Sequence, residues 1–91
     1  MPVLLISHDL KSNTKDYTPF FDAIKQNSYN WWHFVENTWI VNTRYSPDEF
    51  WKKIAQHMLN TDRAIVIRVH KDYSGWLTKE AWAWLNEQQN Y

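Results

Sequence analysis

The sequence contains no cysteine, which excludes a disulfide framework and a metal site built from thiolates. It also lacks an excess of charge, because ten Lys and Arg residues balance ten Asp and Glu residues. No global positive field gathers nucleic acid, so any such site must be local. The apolar run over residues 3–6 is too short for a signal-peptide core or a membrane span. These absences predict a soluble cytoplasmic protein without a membrane partner.

Aromatic residues are what the chain has in excess: they make up 18% of 91 residues and include seven tryptophans. A chain this short buries only a modest fraction of its surface. A large aromatic side chain buries about 150–250 Å², so the tryptophans can supply much of the missing core. Those that remain on an outer face would contact a partner. We expect one domain, residues 1–91, that is stabilised by forming a homodimer.

The hydrophobic pattern alternates between strand and helix character along the chain. Residues 3–6 form an apolar run closed by His8 and Asp9, which is typical of a central strand buried on both faces. Asn37 is the turn of an aromatic hairpin. The pattern predicts strands over residues 3–9, 31–36, 38–43 and 63–69, with helices that start near Thr18, after Ser46 and after Thr78, the last ending near Gln88.

Two helices carry distinct start signals. Thr18-Pro19 is typical of a cap followed by a first-turn proline, and Ser46 with Glu49 three residues later predicts a capping box. The apolar stripe of the second helix should continue every four residues beyond the first turns. Its members are Phe50, Ile54 and Met58, widened by Trp51 and Leu59.

The element order βαββαβ with an added C-terminal helix is that of a ferredoxin-like α+β fold. We therefore predict a four-stranded antiparallel sheet. Right-handed crossovers place its first two helices on one face. The other face must be covered by the last helix or by a second subunit. In the fourth strand, Ile65, Ile67 and Val69 form one consistently apolar face.

Four short motifs carry a resemblance to a known group. They are Ser7-His8-Asp9-Leu10, Trp31-Trp32-His33, Glu36-Asn37-Thr38-Trp39 and Gly75-Trp76. With this element order, the chain resembles the SinR-like small bacterial proteins, which are related to the ferredoxin-like CRISPR-associated and VapD-type endoribonuclease group.

The resemblance implies a homodimer in which the aspartate that ends the first strand approaches its symmetry mate. In nuclease members of the group this aspartate helps to hold a divalent metal, and Asp9 occupies the matching position. The chain departs from the group in two respects. His8-Asp9 stands where the group has Tyr-Asp, and nuclease members tend to be basic whereas this chain is neutral.

Asp9 is the candidate metal ligand, because two carboxylates facing each other across a dyad make an oxygen-rich site for Mg²⁺ or Mn²⁺. The alternative is that Asp9 caps the following loop through backbone N–H groups. His8 and His33 are candidate general bases beside Asp9, provided that the first strand pairs with residues 31–36. Alternatively, these histidines satisfy a hydrogen bond or cover a neighbouring ring.

Candidate binding residues combine aromatic rings with positive charge. Tyr17, Trp31 and Trp32 could stack on bases while Arg44 attracts phosphate. Trp82 falls off the apolar stripe of the last helix, which makes it a candidate for an intersubunit contact. A role inside the chain is the alternative for these rings.

Two functions follow from these residues. The favoured one is a non-catalytic homodimeric scaffold that binds a protein or nucleic acid, RNA or DNA, and needs no cofactor to fold. The alternative is a toxin-type, metal-dependent endoribonuclease that uses Asp9 from both subunits together with Mg²⁺ or Mn²⁺.

Overall fold

The structure is a computed structural model that describes residues 2–88, apart from the side chain of Phe34. A 3-10 turn, Ala55–His57, follows the second helix. The strands and helices, in chain order, are β1 (Val3–Asp9), α1 (Thr18–Gln26), β2 (Asn30–Val35), β3 (Thr38–Asn42), α2 (Pro47–Ile54), β4 (Arg63–Arg68) and α3 (Lys79–Gln88).

The four strands form one sheet in the order β2-β3-β1-β4, and every neighbouring pair is antiparallel. This α+β architecture confirms the predicted fold class, and its strand order is compatible with a ferredoxin-like fold. β1 lies in the centre, as its apolar run predicts. The assumed pairing of β1 with β2 is wrong, because β3 lies between them and takes up the hydrogen bonds of both.

α1 and α2 pack on one face of the sheet, which we call the helix face. Leu4, Ile6 and Val41 project from the strands into the core there. The helices contribute Phe20 and Phe50, which are both fully buried. Burying such a side chain stabilises the fold by about 1.5–3 kcal/mol. Both helices therefore lie on one face of the sheet, as expected.

The helix starts follow the chemistry of their caps. Ser46 accepts a hydrogen bond from the backbone N–H of Glu49, whose carboxylate accepts one from the N–H of Ser46, which confirms the capping box. The prediction that Thr18 caps the first helix is wrong, because Thr18 lies inside the helix. Thr18 is the first helical residue, and its N–H donates to the carboxylate of Asp16.

The second helix is shorter than its apolar stripe suggests. α2 ends at Ile54 and continues as a 3-10 turn, from which Met58 still packs against the core. Trp51 and Leu59 were predicted on the same stripe, yet they stay 36% and 40% exposed. The change from α to 3-10 geometry accounts for Leu59, which follows it, but not for Trp51, which lies within α2.

A β-bulge interrupts the pairing of β2 with β3. Trp32 pairs with Ile40 and Val35 pairs with Thr38, so that residues 33 and 34 together oppose Trp39. The extra residue reverses the alternation of the strand beyond it. As a result, Val35 shares a face with Trp32 instead of with Trp31.

α3 packs on the opposite side of the sheet. Ala81 and Leu85 form a second core with Val3, Trp32 and Ile40. The backbone N–H of Ala81 donates to the hydroxyl of Thr78 at 3.2 Å, which confirms the predicted cap. The amide of Asn42 donates to Gln88 at 2.7 Å and fixes the far end of the helix. No helix in residues 2–88 combines the length and apolar character that crossing a bilayer requires.

α3 is too short to cover its whole side of the sheet. In β4 the predicted apolar face is present, but Ile65 and Ile67 are 55% and 48% exposed. Ala64 and Val66 point to the helix face and are partly buried. We call the uncovered side near Ile65 and Ile67 the open face.

Asp62 ties the loop after β1 to the loop before β4. Its buried carboxylate accepts the backbone N–H groups of Lys11 and Leu59, both at 2.8 Å, and the hydroxyl of Tyr17 at 2.9 Å. Burial alone would raise the pKa of this carboxyl, but the hydrogen bonds outweigh it and the pKa of Asp62 is lowered. The sequence analysis did not single out Asp62.

We expect Asp62→Asn to lower the free energy of unfolding by about 2 kcal/mol at neutral pH. The amide has one oxygen that accepts hydrogen bonds, and its nitrogen cannot accept any, so it cannot replace both carboxylate oxygens. Urea denaturation followed by far-UV circular dichroism measures the change. Asp72→Asn, at an exposed loop position, is the matched control and should leave the midpoint unchanged. Equal midpoints for both variants would contradict a structural role of Asp62.

Candidate functional site

Asp9 ends β1 on the open face and is solvent-accessible. Its side chain is 63% exposed and forms an ion pair with Lys11. Asp9 pairs in register with Arg63 of β4. Both residues line a shallow hollow, whose other lining residues are Ser7, His8, Ala64 and Ile65. The hollow therefore combines one carboxylate, one hydroxyl and one guanidinium.

His8 points to the opposite side of the same strand, into the helix face. Only 6% of it is exposed, and its ring packs edge-on against Phe20 at a centroid distance of 5.6 Å. Neither ring nitrogen has a hydrogen-bond partner among residues 2–88. Burial lowers the pKa of His8 below its ordinary value of 6.5, the nearby His33 lowers it further, and Asp9 opposes the shift.

His33 lies near His8 although their strands do not pair. The two ring centroids are 6.5 Å apart, because both side chains project from the helix face on either side of β3. The ring of His33 stacks on Trp39 at 3.8 Å with an angle of 12°, and its Nε2 atom is 3.0 Å from the carbonyl oxygen of Glu36. This histidine both covers a neighbouring ring and satisfies a hydrogen bond.

The three candidate catalytic residues do not converge on one point. The two histidines face the helices, whereas Asp9 faces the other side of the sheet. Within residues 2–88, no cluster of three or more His, Asp or Glu residues is arranged to hold a metal ion.

One row of residues crosses the open face on all four strands. Ile65, Ser7, Thr38 and Val35 follow one another across β4, β1, β3 and β2. Val35 is 44% exposed and lines a second hollow with Trp76, which is 98% exposed. Exposed apolar side chains thus stand at both ends of the row.

A second group of exposed rings lies at the other end of β2, around the C-terminus of α1. Tyr29 is 62% exposed and Trp31 is 43% exposed. The ammonium group of Lys25 lies 5.0 Å from the ring centre of Trp31. Arg44 and Tyr45 line a hollow with Tyr29. Of these residues, the sequence analysis predicted only Trp31 and Arg44.

The remaining predicted binding residues lie inside the fold. Tyr17 is 9% exposed and donates its hydroxyl to Asp62, and Trp32 is 3% exposed in the second core. Trp82 is half-buried and stacks on Tyr73 at 6.2 Å. These three rings have structural contacts, and their stacking or intersubunit roles stay predictions.

The sequence analysis missed the partners of Trp31 and Arg44. Lys25 and Tyr29 flank the end of α1, where the loop brings them beside the start of β2. Spacing could have suggested Tyr29, because it is two residues before Trp31 and shares its side of an extended chain. No local signal indicates Lys25, since its contact depends on how α1 crosses the sheet.

Comparison with known proteins reveals no relative: no family model, curated protein or solved structure matches this chain. The resemblance to the SinR-like group therefore stays a prediction that rests on the short motifs named above.

The lowered pKa of His8 predicts that stability falls in acid. The unfolded chain takes up a proton near pH 6.5, whereas the folded chain resists it, so the free energy of unfolding decreases as pH falls through 6.5 towards the lower folded pKa. Urea midpoints measured between about pH 7.5 and 5 should show this loss.

His8→Leu should remove most of the pH dependence over that interval, because it replaces the imidazole with an apolar side chain that cannot be protonated. His70→Leu, at an exposed position, should keep the dependence of the unsubstituted chain. A slope that is the same with and without His8 would show that another group titrates.

Proposed function

We propose that this protein is the subunit of a homodimeric, non-catalytic binding scaffold that works in the cytoplasm. The observation that carries the proposal is the open face, where Ile65 and Ile67 remain about half exposed on a strand whose other side is packed. Apolar sheet surface of this kind is unfavourable in water and typically marks an interaction site.

A second copy of the chain is the partner that fits this face. The hollow at its rim carries one carboxylate, Asp9, and one guanidinium, Arg63. The guanidinium donates to the carbonyl groups of Asn60 and Asp62, and Asp9 pairs with Lys11, so the two are not tied to each other within the chain. A two-fold axis can bring Asp9 of each copy to Arg63 of the other, which gives a self-complementary rim.

The placement of the histidines supports a binding role over a catalytic one. A general base must reach the proton that it abstracts, within hydrogen-bonding distance or through one water. His8 is almost fully buried under Phe20, and His33 lies flat on Trp39. Neither imidazole shares the face on which Asp9 is exposed.

We expect the unsubstituted chain, which has a mass of 11.1 kDa, to sediment as a dimer. The double variant Ile65→Glu/Ile67→Glu should sediment as a monomer. Two carboxylates on the open face would have to be desolvated in the dimer, which costs more than the apolar contact contributes. Sedimentation velocity over a range of protein concentrations measures the change.

Trp51→Glu is the matched control, because it places a carboxylate at a partly exposed aromatic position on α2, across the sheet from the open face. It should leave the dimer intact. Circular dichroism should show that both variants remain folded. A monomeric unsubstituted chain, or a dimer that tolerates both glutamates, would overturn this interface.

One observation favours the metal-dependent endoribonuclease as a second candidate function. Asp9 lies on the same face as the proposed dimer interface and is exposed there. A dimer through this face would bring the Asp9 carboxylate of the second copy towards the first. The second candidate therefore depends on the dimer.

If this second candidate holds, Asp9→Asn should abolish cleavage of single-stranded RNA in Mg²⁺ or Mn²⁺ and leave the fold intact by circular dichroism. Asp22→Asn, at an exposed position of α1, should cleave like the unsubstituted chain. Product formation on denaturing gels measures the rate. Cleavage that is absent in both metals, or unaffected by Asp9→Asn, removes the endoribonuclease and leaves the scaffold.

A further inference from the structure

Aromatic rings and cations interleave on the helix face, from the exposed rings at its β2 edge to the half-buried Tyr45 and Lys53. We call this surface the cation–aromatic ridge. Tyr29 and Trp31 stand two residues apart at the edge of the sheet, where they are 62% and 43% exposed. The residues of the ridge are Lys25, Tyr29, Trp31, Arg44, Tyr45 and Lys53.

The cations are positioned by the rings. The ammonium group of Lys53 lies 4.5 Å from the ring centre of Tyr45, and the guanidinium of Arg44 lies 5.0 Å from the same centre. Arg44 also donates a hydrogen bond to the hydroxyl of Tyr45 at 2.9 Å. That hydrogen bond lowers the pKa of Tyr45, despite partial burial that opposes it. Cation–π contacts of this kind hold long side chains in place without neutralising them.

The positive charge of the ridge is not cancelled by ion pairs. Within residues 2–88, the ion pairs join Lys11 to Asp9 and Lys52 to Asp48, and neither includes a cation of the ridge. Glu49 of α2 interacts electrostatically with Arg44 and Lys53, but it forms an ion pair with neither, and its carboxylate accepts the backbone N–H of Ser46 in the capping box. Three cations therefore remain available to an anionic ligand in a chain with no net charge.

A hollow between the rings offers polar groups at the same place. It is lined by Tyr29, Arg44 and Tyr45 on one side and by the polar end of α1, including Gln26, on the other. An edge of a base could find hydrogen-bonding partners there, next to rings on which its face could stack.

We propose that the cation–aromatic ridge binds single-stranded nucleic acid, with bases stacked on Tyr29 and Trp31 and phosphates held by Lys25, Arg44 and Lys53. This inference rests on the proposed scaffold function, and it names the class of ligand that the scaffold binds. Interleaved rings and cations match a strand whose bases are unpaired, whereas a duplex hides the base faces that the rings would contact.

The ridge and the open face lie on different sides and edges of the sheet. Trp31 projects from the helix face of β2, whereas Ile65 and Ile67 project from the other face of β4, at the opposite edge. Nucleic-acid binding and dimer formation can therefore be abolished separately.

Fluorescence anisotropy of labelled oligonucleotides of about twelve nucleotides tests the inference, because a site of this type spans roughly 4–16 nucleotides. The first two ligands are oligouridylate and oligothymidylate. They have similar bases and the same phosphates, so a comparison of their affinities distinguishes RNA from DNA. A duplex of the same length is the third ligand. We expect saturable binding of one or both single strands and much weaker binding of the duplex.

Three phosphate contacts predict that the logarithm of the binding constant falls with the logarithm of salt concentration with a slope of about −2. Arg44→Ala should reduce this slope to about −1.4 by removing one contact. Trp31→Ala should weaken binding about tenfold, because it removes one stacking platform. Tyr29→Ala, at the more exposed ring, serves as the second variant if Trp31→Ala does not fold.

The matched controls remove the same groups from other places. Lys52→Ala deletes a cation that is ion-paired with Asp48 on the same helix as Lys53. Trp76→Ala deletes an exposed tryptophan of the other face. Both should bind like the unsubstituted chain.

Absence of single-strand binding at low salt, or equal losses in the ridge variants and the controls, would overturn the inference. In that case, a dimer in the sedimentation experiment would leave the scaffold intact, with a protein as its ligand. Conversely, oligonucleotide binding by an unsubstituted chain that sediments as a monomer would support the ridge while the proposed interface fails.

Discussion

Covering both faces of a four-stranded sheet is the constraint on which the rest of this structure depends. α1 and α2 seal the helix face with a core in which Phe20, Phe50 and Ile54 are fully buried. On the other side, α3 reaches Val3, Trp32 and Ile40 but leaves the β4 half bare. The position of every candidate site follows from this asymmetry. Residues in the middle of the helix face are locked into contacts, whereas Trp31 at its β2 edge and the residues of the open face remain exposed.

Much of this fold could be predicted from local patterns. The apolar run of residues 3–6 predicts the central strand, and Ser46 with Glu49 predicts the start of α2, because both signals are complete within a few residues. The role of Asp62 could not be predicted, since two of its three donors, Lys11 and Tyr17, lie far away in sequence. Long-range hydrogen bonds leave no periodic trace.

The candidate site was harder to predict than the fold, and the bulge in β2 gives one reason. A regular strand would place Val35 on the same side as Trp31 and His33. One extra residue opposite Trp39 reverses that order and sends Val35 to the open face, beside Trp76. The proximity of His8 and His33 was predicted from a strand pairing that does not exist. It arises because both imidazoles project to the helix face from the strands on either side of β3.

β4 is an edge strand, and its sequence limits how copies of the chain can meet. Its free edge carries unpaired backbone groups that could accept another strand. Arg63 and Arg68 stand at its two ends, so that antiparallel pairing of the whole strand with its own copy would set guanidinium against guanidinium. Lateral growth into an extended fibre is thereby disfavoured, whereas stacking of two sheets face to face closes after two copies.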